Sequence, residues 1–162
     1  MANATHTPRS TAPPARGAGS VLMLLALVLA ITIQLVTGFW MMAAFGNGLL
    51  IAHVSVGIAA IVLTVAEWLW LCAAPAGRYR LQQFTASRSG PAEWSEAAFL
   101  VVATITVLFG ALLAAVLYLG TRLPFATLLA AHQALAVAVA VLYLVHSAFA
   151  TARARRRRRS NA

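Results

Sequence analysis

Four long apolar stretches dominate this sequence of 162 residues. They cover residues 21–45, 48–74, 97–120 and 124–150. One helix needs about 20 apolar residues to cross a hydrocarbon core about 30 Å thick, and each stretch is long enough. Lipid cannot satisfy backbone polar groups, so such stretches must be helical. The sequence therefore predicts an all-α integral membrane protein whose short links favour an up-down-up-down four-helix bundle.

The composition and the flanking segments agree with this fold class. Only 9% of the residues are charged, whereas about 25% is usual in soluble domains. The single cysteine, Cys72, excludes an internal disulfide and a cysteine-based metal cluster. We expect three parts: a disordered N-terminal tail (1–20) rich in Pro, Gly, Ser and Thr, the transmembrane bundle (21–150), and an Arg-rich C-terminal tail (151–162).

The distribution of arginine predicts the orientation. Eleven of the twelve basic residues lie in the N-terminal tail, between spans two and three, or after span four, and only Arg122 lies on the opposite side. The positive-inside rule then places both termini in the cytoplasm. The C-terminal arginines lack neighbouring groups that could read or stack on bases, so we expect contact with the lipid bilayer and not with nucleic acid. The lack of lysine and the richness in Ala and Arg suggest the inner (cytoplasmic) membrane of a bacterium with a GC-rich genome.

Four ionisable residues lie within the apolar stretches, where such groups are costly and usually functional. His53 is five residues beyond Gly48, and His132 is eight beyond Pro124, so both lie near the outer side at similar depth. Glu67 and His146 follow them by fourteen residues each, which makes an inner tier. Fourteen residues nearly complete four helical turns, so each helix points its pair along one face.

The outer pair suits a heme. Spans two and four lie diagonally across a four-helix bundle, so two imidazoles at one depth could ligate one heme iron between them. Gly38, Gly57 and Gly110 would leave room for the porphyrin, and Arg122 is the fixed cation available to its propionates. The alternative for the glycines is close helix packing without a cofactor, and for the histidines hydrogen bonding across helices. Zinc would need three or four ligands at one depth, and we find two.

The inner tier leaves several interpretations open. Glu67 and His146 could form an ion pair or hydrogen-bonded pair, a proton relay, or the rim of a quinone site. His146 could also ligate a second heme together with Met23, since Met and His are both known axial ligands of heme iron.

Two resemblances follow from these residues. The two histidines fourteen residues apart in one helix, His132 and His146, resemble the diheme cytochrome b family, in which two such helices hold two stacked hemes. Span two keeps the first position as His53 but has Glu67 at the second. The resemblance thus implies one complete outer heme site and an altered inner one.

The spacing of Gln34, Gly38 and His53, followed by Gly110 and His132, is similar to one four-helix half of the heme A synthase family. That family binds heme through one histidine on the second helix and one on the fourth helix of each half. Leu50 stands where the family has a glutamate three residues before the first histidine. The resemblance therefore implies heme binding without that glutamate's part in heme A synthesis.

The leading hypothesis is a small b-type cytochrome with one heme held by His53 and His132. It would pass electrons between a quinol or membrane redox partner and an acceptor at the outer face, either as a subunit of a homo- or hetero-oligomer or with quinone supplying the inner half of the path. No nucleophile, nucleotide-binding loop or catalytic dyad is visible, so we do not expect an enzyme. Two alternatives remain: a cofactor-free membrane scaffold or assembly subunit, and a heme-handling protein that binds heme transiently.

Overall fold

The computed structural model describes residues 17–44, 46–85, 90–120 and 122–160, and within these ranges the chain is helical without strands. Five helices follow one another: α1 (Ala18–Ala43), α2 (Asn47–Ala73), α3 (Pro75–Thr85), α4 (Pro91–Leu119) and α5 (Phe125–Ser160). Helices α1, α2 and α4, and residues 125–153 of α5, are each long and apolar enough to cross a membrane. The predicted all-α fold with four membrane-type helices is confirmed.

The four long helices form two hairpins. Helix α1 packs on α2 and α4 packs on α5, while α2 also packs on α4 and joins the hairpins. This arrangement places α2 and α5 on one diagonal of the bundle and α1 and α4 on the other. Gly120 ends α4 in the left-handed conformation with φ 65°, which glycine adopts without the strain imposed by a Cβ.

The interior of the bundle is narrow. Its centre is a cluster contributed by α1, α4 and α5: Leu27, Ile31, Ala103 and Val139. Most other large apolar side chains are exposed, for example Leu22, Leu25 and Leu29 on α1. Since lipid tails are as apolar as leucine, a helix in a membrane has no need to bury these side chains against protein.

Several boundaries differ from those predicted. The connection between the second and third apolar stretches contains helix α3, and α4 begins at Pro91, six residues before the third stretch. Helix α5 continues to Ser160, so most of the predicted C-terminal tail is an extension of the last helix. The predicted N-terminal tail is already helical at Ala18, and its residues 1–16 lie outside the described residues.

Two ion pairs connect neighbouring helices at the end of the bundle that carries α3. Arg80 of α3 lies 2.9 Å from a carboxylate oxygen of Glu96, and Arg153 of α5 lies 2.6 Å from one of Glu93. Both carboxylates belong to the start of α4. Helices α3 and α5 are therefore both tied to α4 at this end.

Candidate functional site: a facing histidine pair

His53 and His132 lie next to each other inside the bundle. Their ring centroids are 6.3 Å apart and their ring planes make an angle of 85°. The two rings come from α2 and α5, the helices of one diagonal. The fold therefore brings these two histidines together at one depth in the bundle.

The His132 ring is held by the backbone of α4. Its Nδ1 lies 3.1 Å from the carbonyl oxygen of Thr106. A carbonyl oxygen only accepts hydrogen bonds, so Nδ1 carries the proton and donates it. In the neutral imidazole Nε2 then has a free lone pair, which is the state required of a metal ligand.

The His53 ring is held by helix α1. Its Nδ1 lies 2.9 Å from Oγ1 of Thr37. Gln34, one helical turn earlier, donates a hydrogen bond from Nε2 to the backbone carbonyl of His53. One face of α1 thus fixes both the ring and the backbone of this histidine.

The three predicted glycines lie against the side chains that build the site. A Cβ on Gly38 would lie 3.2 Å from Cε1 of His53, and a Cβ on Gly110 would lie 3.2 Å from Cε1 of His132. The space left by each missing side chain is therefore occupied by an imidazole. Gly57 has a related role, because a Cβ there would lie 3.1 Å from Nε2 of Gln34. These three glycines make room for the side chains that build the site.

The two hairpins hold their histidines in the same way. In each hairpin the first helix supplies a glycine and a hydrogen-bonding group, and the second helix supplies the histidine. Gly110 lies one turn after Thr106, so the ring that fills the space above Gly110 can reach the Thr106 carbonyl. Gly38 directly follows Thr37. The His53 ring that fills the space beside Gly38 therefore also reaches the threonine hydroxyl.

Two cavities adjoin the histidine pair. One, of about 120 Å³, lies toward the middle of the bundle and is lined by all four long helices, with Gly57, Ala60 and Ala103 among its small residues. The other, of about 170 Å³, lies toward the α1–α2 turn and includes Met42 and Gln133. Both are lined by His53 and His132 themselves.

The other predicted site residues lie away from this pair. Glu67 is buried, with 3% of its surface exposed. His146 is half-buried, and its Nδ1 lies 3.3 Å from Oγ of Ser95. Met23, the suggested partner of His146 in a second heme site, is half-buried near the start of α1, and Arg122 is exposed between α4 and α5. In the part of the chain that the structure describes, no three His, Cys, Asp or Glu side chains come together as a metal site.

Three residues of the site were missed by the sequence analysis. Thr37 and Thr106 were not singled out, and Gln34 was given no chemical role. For Thr37 and Gln34 a signal exists, because both lie within one turn of Gly38 on the face that must meet α2. Thr106 acts through its backbone carbonyl, so its side chain carried no signal.

No protein-family model, no curated protein and no solved structure matches this chain.

Proposed function

We propose that this protein is a membrane cytochrome that holds one b-type heme between His53 and His132 and transfers electrons. The observation that carries the proposal is the separation of 6.3 Å between the two imidazole centroids. Metal–nitrogen bonds to histidine are about 2.1 Å long, and a ring nitrogen lies roughly 1.1 Å from the ring centre. Two imidazoles on opposite sides of one ion therefore have centroids about 6.4 Å apart.

The perpendicular rings also fit this role. Two imidazoles that point toward the same ion can each rotate about the shared axis, so an angle of 85° between their planes is compatible with both acting as ligands. The hydrogen bond from His132 Nδ1 to Thr106 leaves Nε2 as the ligating nitrogen. Protein groups that hold the second nitrogen in this way are usual for metal-bound histidine.

The space around the pair supports a flat ligand. A flat ligand between the two rings would extend along the bundle axis, where the two cavities lie. Together the cavities approach the lower end of the range of about 300–1,000 Å³ for small-molecule pockets. Arg122, on the link between α4 and α5, is the cation we assign to the propionates.

The position of a single heme in the outer tier determines which partners can exchange electrons with it. The two tiers of ionisable residues are fourteen residues apart along each helix, which is about 20 Å. One heme in the outer tier therefore exchanges electrons with an outer acceptor, and a quinol or a membrane redox subunit supplies them. We place the protein in a bacterial cytoplasmic membrane, with both termini in the cytoplasm, because of its arginine distribution.

The proposal is tested by optical spectroscopy on the detergent-purified protein expressed with adequate heme. We expect a dithionite-reduced minus oxidised spectrum with a sharp low-spin b-type band and one heme per chain. His53→Ala and His132→Ala should each abolish the low-spin band, because one axial ligand is lost. His146→Ala is the matched control and should keep both the band and the heme content.

Four results would contradict this proposal in whole or in part. A colourless wild-type protein would favour a cofactor-free scaffold, and a pigment that survives both outer-tier substitutions would show that these histidines are not the ligands. Two hemes per chain, with one lost in His146→Ala, would mean that the inner tier binds iron as well. Heme that exchanges rapidly with an added acceptor protein would favour heme handling over electron transfer.

A further inference from the structure

The hydroxyl of Thr37 has a single hydrogen and several neighbours that compete for it. Its Oγ1 lies 2.8 Å from the carbonyl oxygen of Ile33 and 3.3 Å from that of Gln34, and 2.9 Å from Nδ1 of His53. Both carbonyl oxygens can only accept. The backbone of α1 therefore takes the threonine hydrogen, as it does for many threonines within helices.

The oxygen of Thr37 then has only lone pairs to offer to His53. We propose that Thr37 is a positioning residue that accepts a hydrogen bond from His53 Nδ1 and so fixes this histidine with its proton on Nδ1 and a lone pair on Nε2. Thr37 thereby does for His53 what the Thr106 carbonyl does for His132. The two halves of the site present the same tautomer, although one uses a side chain and the other the backbone.

The consequence concerns the donor strength of the histidine. An imidazole whose Nδ1–H is engaged by an acceptor is a more basic ligand through Nε2. With the opposite polarity, the hydroxyl would donate to Nδ1, and the proton on Nε2 would block ligation. Thr37 is also the adjustable half of the site, because a side chain can be replaced and the Thr106 carbonyl cannot. This effect on the ligand rests on the proposed heme function, whereas the tautomer does not.

The first test reads the tautomer directly in the heme-free full-length protein. Nitrogen NMR of protein with ¹⁵N-labelled histidine distinguishes a protonated ring nitrogen from one with a lone pair, and His53→Gln assigns the signal. We expect the His53 proton on Nδ1 in the wild type. In Thr37→Val, which keeps the shape and removes the acceptor, the population should move toward the Nε2–H tautomer, and Thr37→Ser should restore the wild-type state.

Thr32→Val is the matched control. Oγ1 of Thr32 donates to the carbonyl of Val28 at 2.8 Å, so it makes the same bond within α1 as Thr37 does to Ile33. Its replacement should leave the His53 signal unchanged. A wild-type protein with the proton on Nε2, or a Thr37→Val variant with an unchanged tautomer, would overturn the inference.

The second test uses the heme-loaded protein. Thr37→Val should shift the reduction potential to more positive values, because a weaker donor stabilises oxidised iron less, and should weaken heme binding by about 10-fold. Thr37→Ser should restore both values. An unchanged potential would overturn the role of Thr37 in tuning the ligand. Failure of the wild type to bind heme would overturn the proposed function, while the NMR result would still decide the tautomer.

Discussion

At the scale of single residues, the histidine pair depends on direct contact between imidazole rings and the backbone of the neighbouring helix. Such contact requires glycine at the point of approach, since any Cβ at Gly38 or Gly110 would lie 3.2 Å from a ring carbon. Ordinary contacts between carbon atoms are about 3.5–4.0 Å. Both glycines lie inside helices, where glycine costs about 1 kcal/mol relative to alanine. The site is thus built at the expense of helix stability.

Replacement of either glycine by alanine should therefore damage the site more than the fold. In Gly38→Ala and in Gly110→Ala the ring must move by a few tenths of an ångström, away from the position in which we propose that it ligates heme iron. Overpacking of this kind costs about 1–3 kcal/mol, so we expect heme affinity to fall by roughly 10- to 100-fold. Heme titration of the purified apoprotein measures the loss.

Gly19→Ala provides the comparison for both variants. It lies in the same helix as Gly38, and nothing is within 4 Å of the position that its Cβ would take. We expect this variant to gain up to about 1 kcal/mol in unfolding free energy and to bind heme like the wild type. An equal heme affinity in all three variants would show that the rings do not need the two glycine positions.

At the scale of helices, α2 connects the histidine pair to the rest of the bundle. It carries His53 near its first turn, packs on both α1 and α4, and receives α3 at its far end. Its contact with α4 includes a hydrogen bond from the indole Nε1 of Trp68 to Oγ1 of Thr104, with a length of 2.9 Å. The Thr104 hydroxyl itself donates to the carbonyl of Leu100 at 2.7 Å, so its lone pairs remain for the indole.

Removal of this bond should weaken the attachment of the two hairpins to each other. Hydrogen bonds between helices in membranes contribute about 0.6 kcal/mol on average and up to about 2 kcal/mol. We expect Trp68→Phe and Thr104→Val each to lower the unfolding free energy by such an amount. A double-mutant cycle in mixed detergent micelles isolates the bond, and a coupling energy of zero would mean that this hydrogen bond does not stabilise the bundle.

Helix α3 is attached to α2 by a contact that tolerates no side chain. A Cβ on Gly77 would lie 2.2 Å from the carbonyl oxygen of Trp70 and 2.7 Å from Cα of Leu71. Both are backbone atoms, which cannot move aside as the end of a flexible side chain could. In Gly77→Ala we therefore expect α3 to detach and trypsin to cleave after Arg78 and Arg80 much faster than in the wild type.

Gly48→Ala serves as the control for this experiment, because nothing lies within 4 Å of a Cβ at that position. It should leave the rate of cleavage in α3 unchanged. Equal trypsin sensitivity of Gly77→Ala and the wild type would be incompatible with the described attachment of α3. Heme binding should persist in Gly77→Ala, since α3 is at the opposite end of the bundle from His53.

Helix α3 also shows where sequence patterns stop being informative. The four long helices were predictable, because a long apolar stretch that crosses a membrane must satisfy its own backbone hydrogen bonds and is therefore helical. The segment Pro75–Thr85 is short and polar, so no long apolar stretch marked it as a helix. Its attachment to α2 is a tertiary contact, the close approach of Gly77, which no local pattern encodes.

The histidine site also has features that the sequence predicts and features that it does not. The pairing of His53 with His132 was predictable, because depth and helix face follow from residue counts along regular helices. The sequence does not predict that the imidazoles fill the space beside Gly38 and Gly110. That detail depends on the side-chain conformations of two neighbouring helices, which counting along one helix cannot supply.

At the scale of the whole molecule, charge is concentrated at one end of the bundle. The ion pairs of Arg80 with Glu96 and of Arg153 with Glu93 lie at the end that carries α3. These pairs are partly exposed, so each contributes at most about 1 kcal/mol. Helix α5, with 36 residues, is about 54 Å long, which exceeds the hydrocarbon thickness of about 30 Å. Its arginine-rich extension thus projects from the membrane on this side.

The orientation predicted from the arginines can be measured with the one native cysteine. Cys72 is exposed near the end of α2 beside α3, and Asn47 is exposed at the opposite end of the same helix. If the arginine-rich end is cytoplasmic, a membrane-impermeant maleimide added to intact spheroplasts should leave Cys72 unlabelled. The same reagent should label Asn47→Cys in a Cys72→Ala background, and Cys72→Ala alone shows any labelling that does not depend on a protein thiol.

Inverted membrane vesicles should give the opposite pattern, because they expose the cytoplasmic side. Comparison of the two preparations distinguishes a thiol on the protected side of the membrane from a thiol that reacts slowly because it lies in the headgroup region. Labelling of Cys72 from outside would reverse the orientation and would place the histidine pair at the cytoplasmic face. The proposed heme site would be unaffected, but the proposed electron transfer would then be to an acceptor in the cytoplasm, since His53 lies close to the end of α2 marked by Asn47.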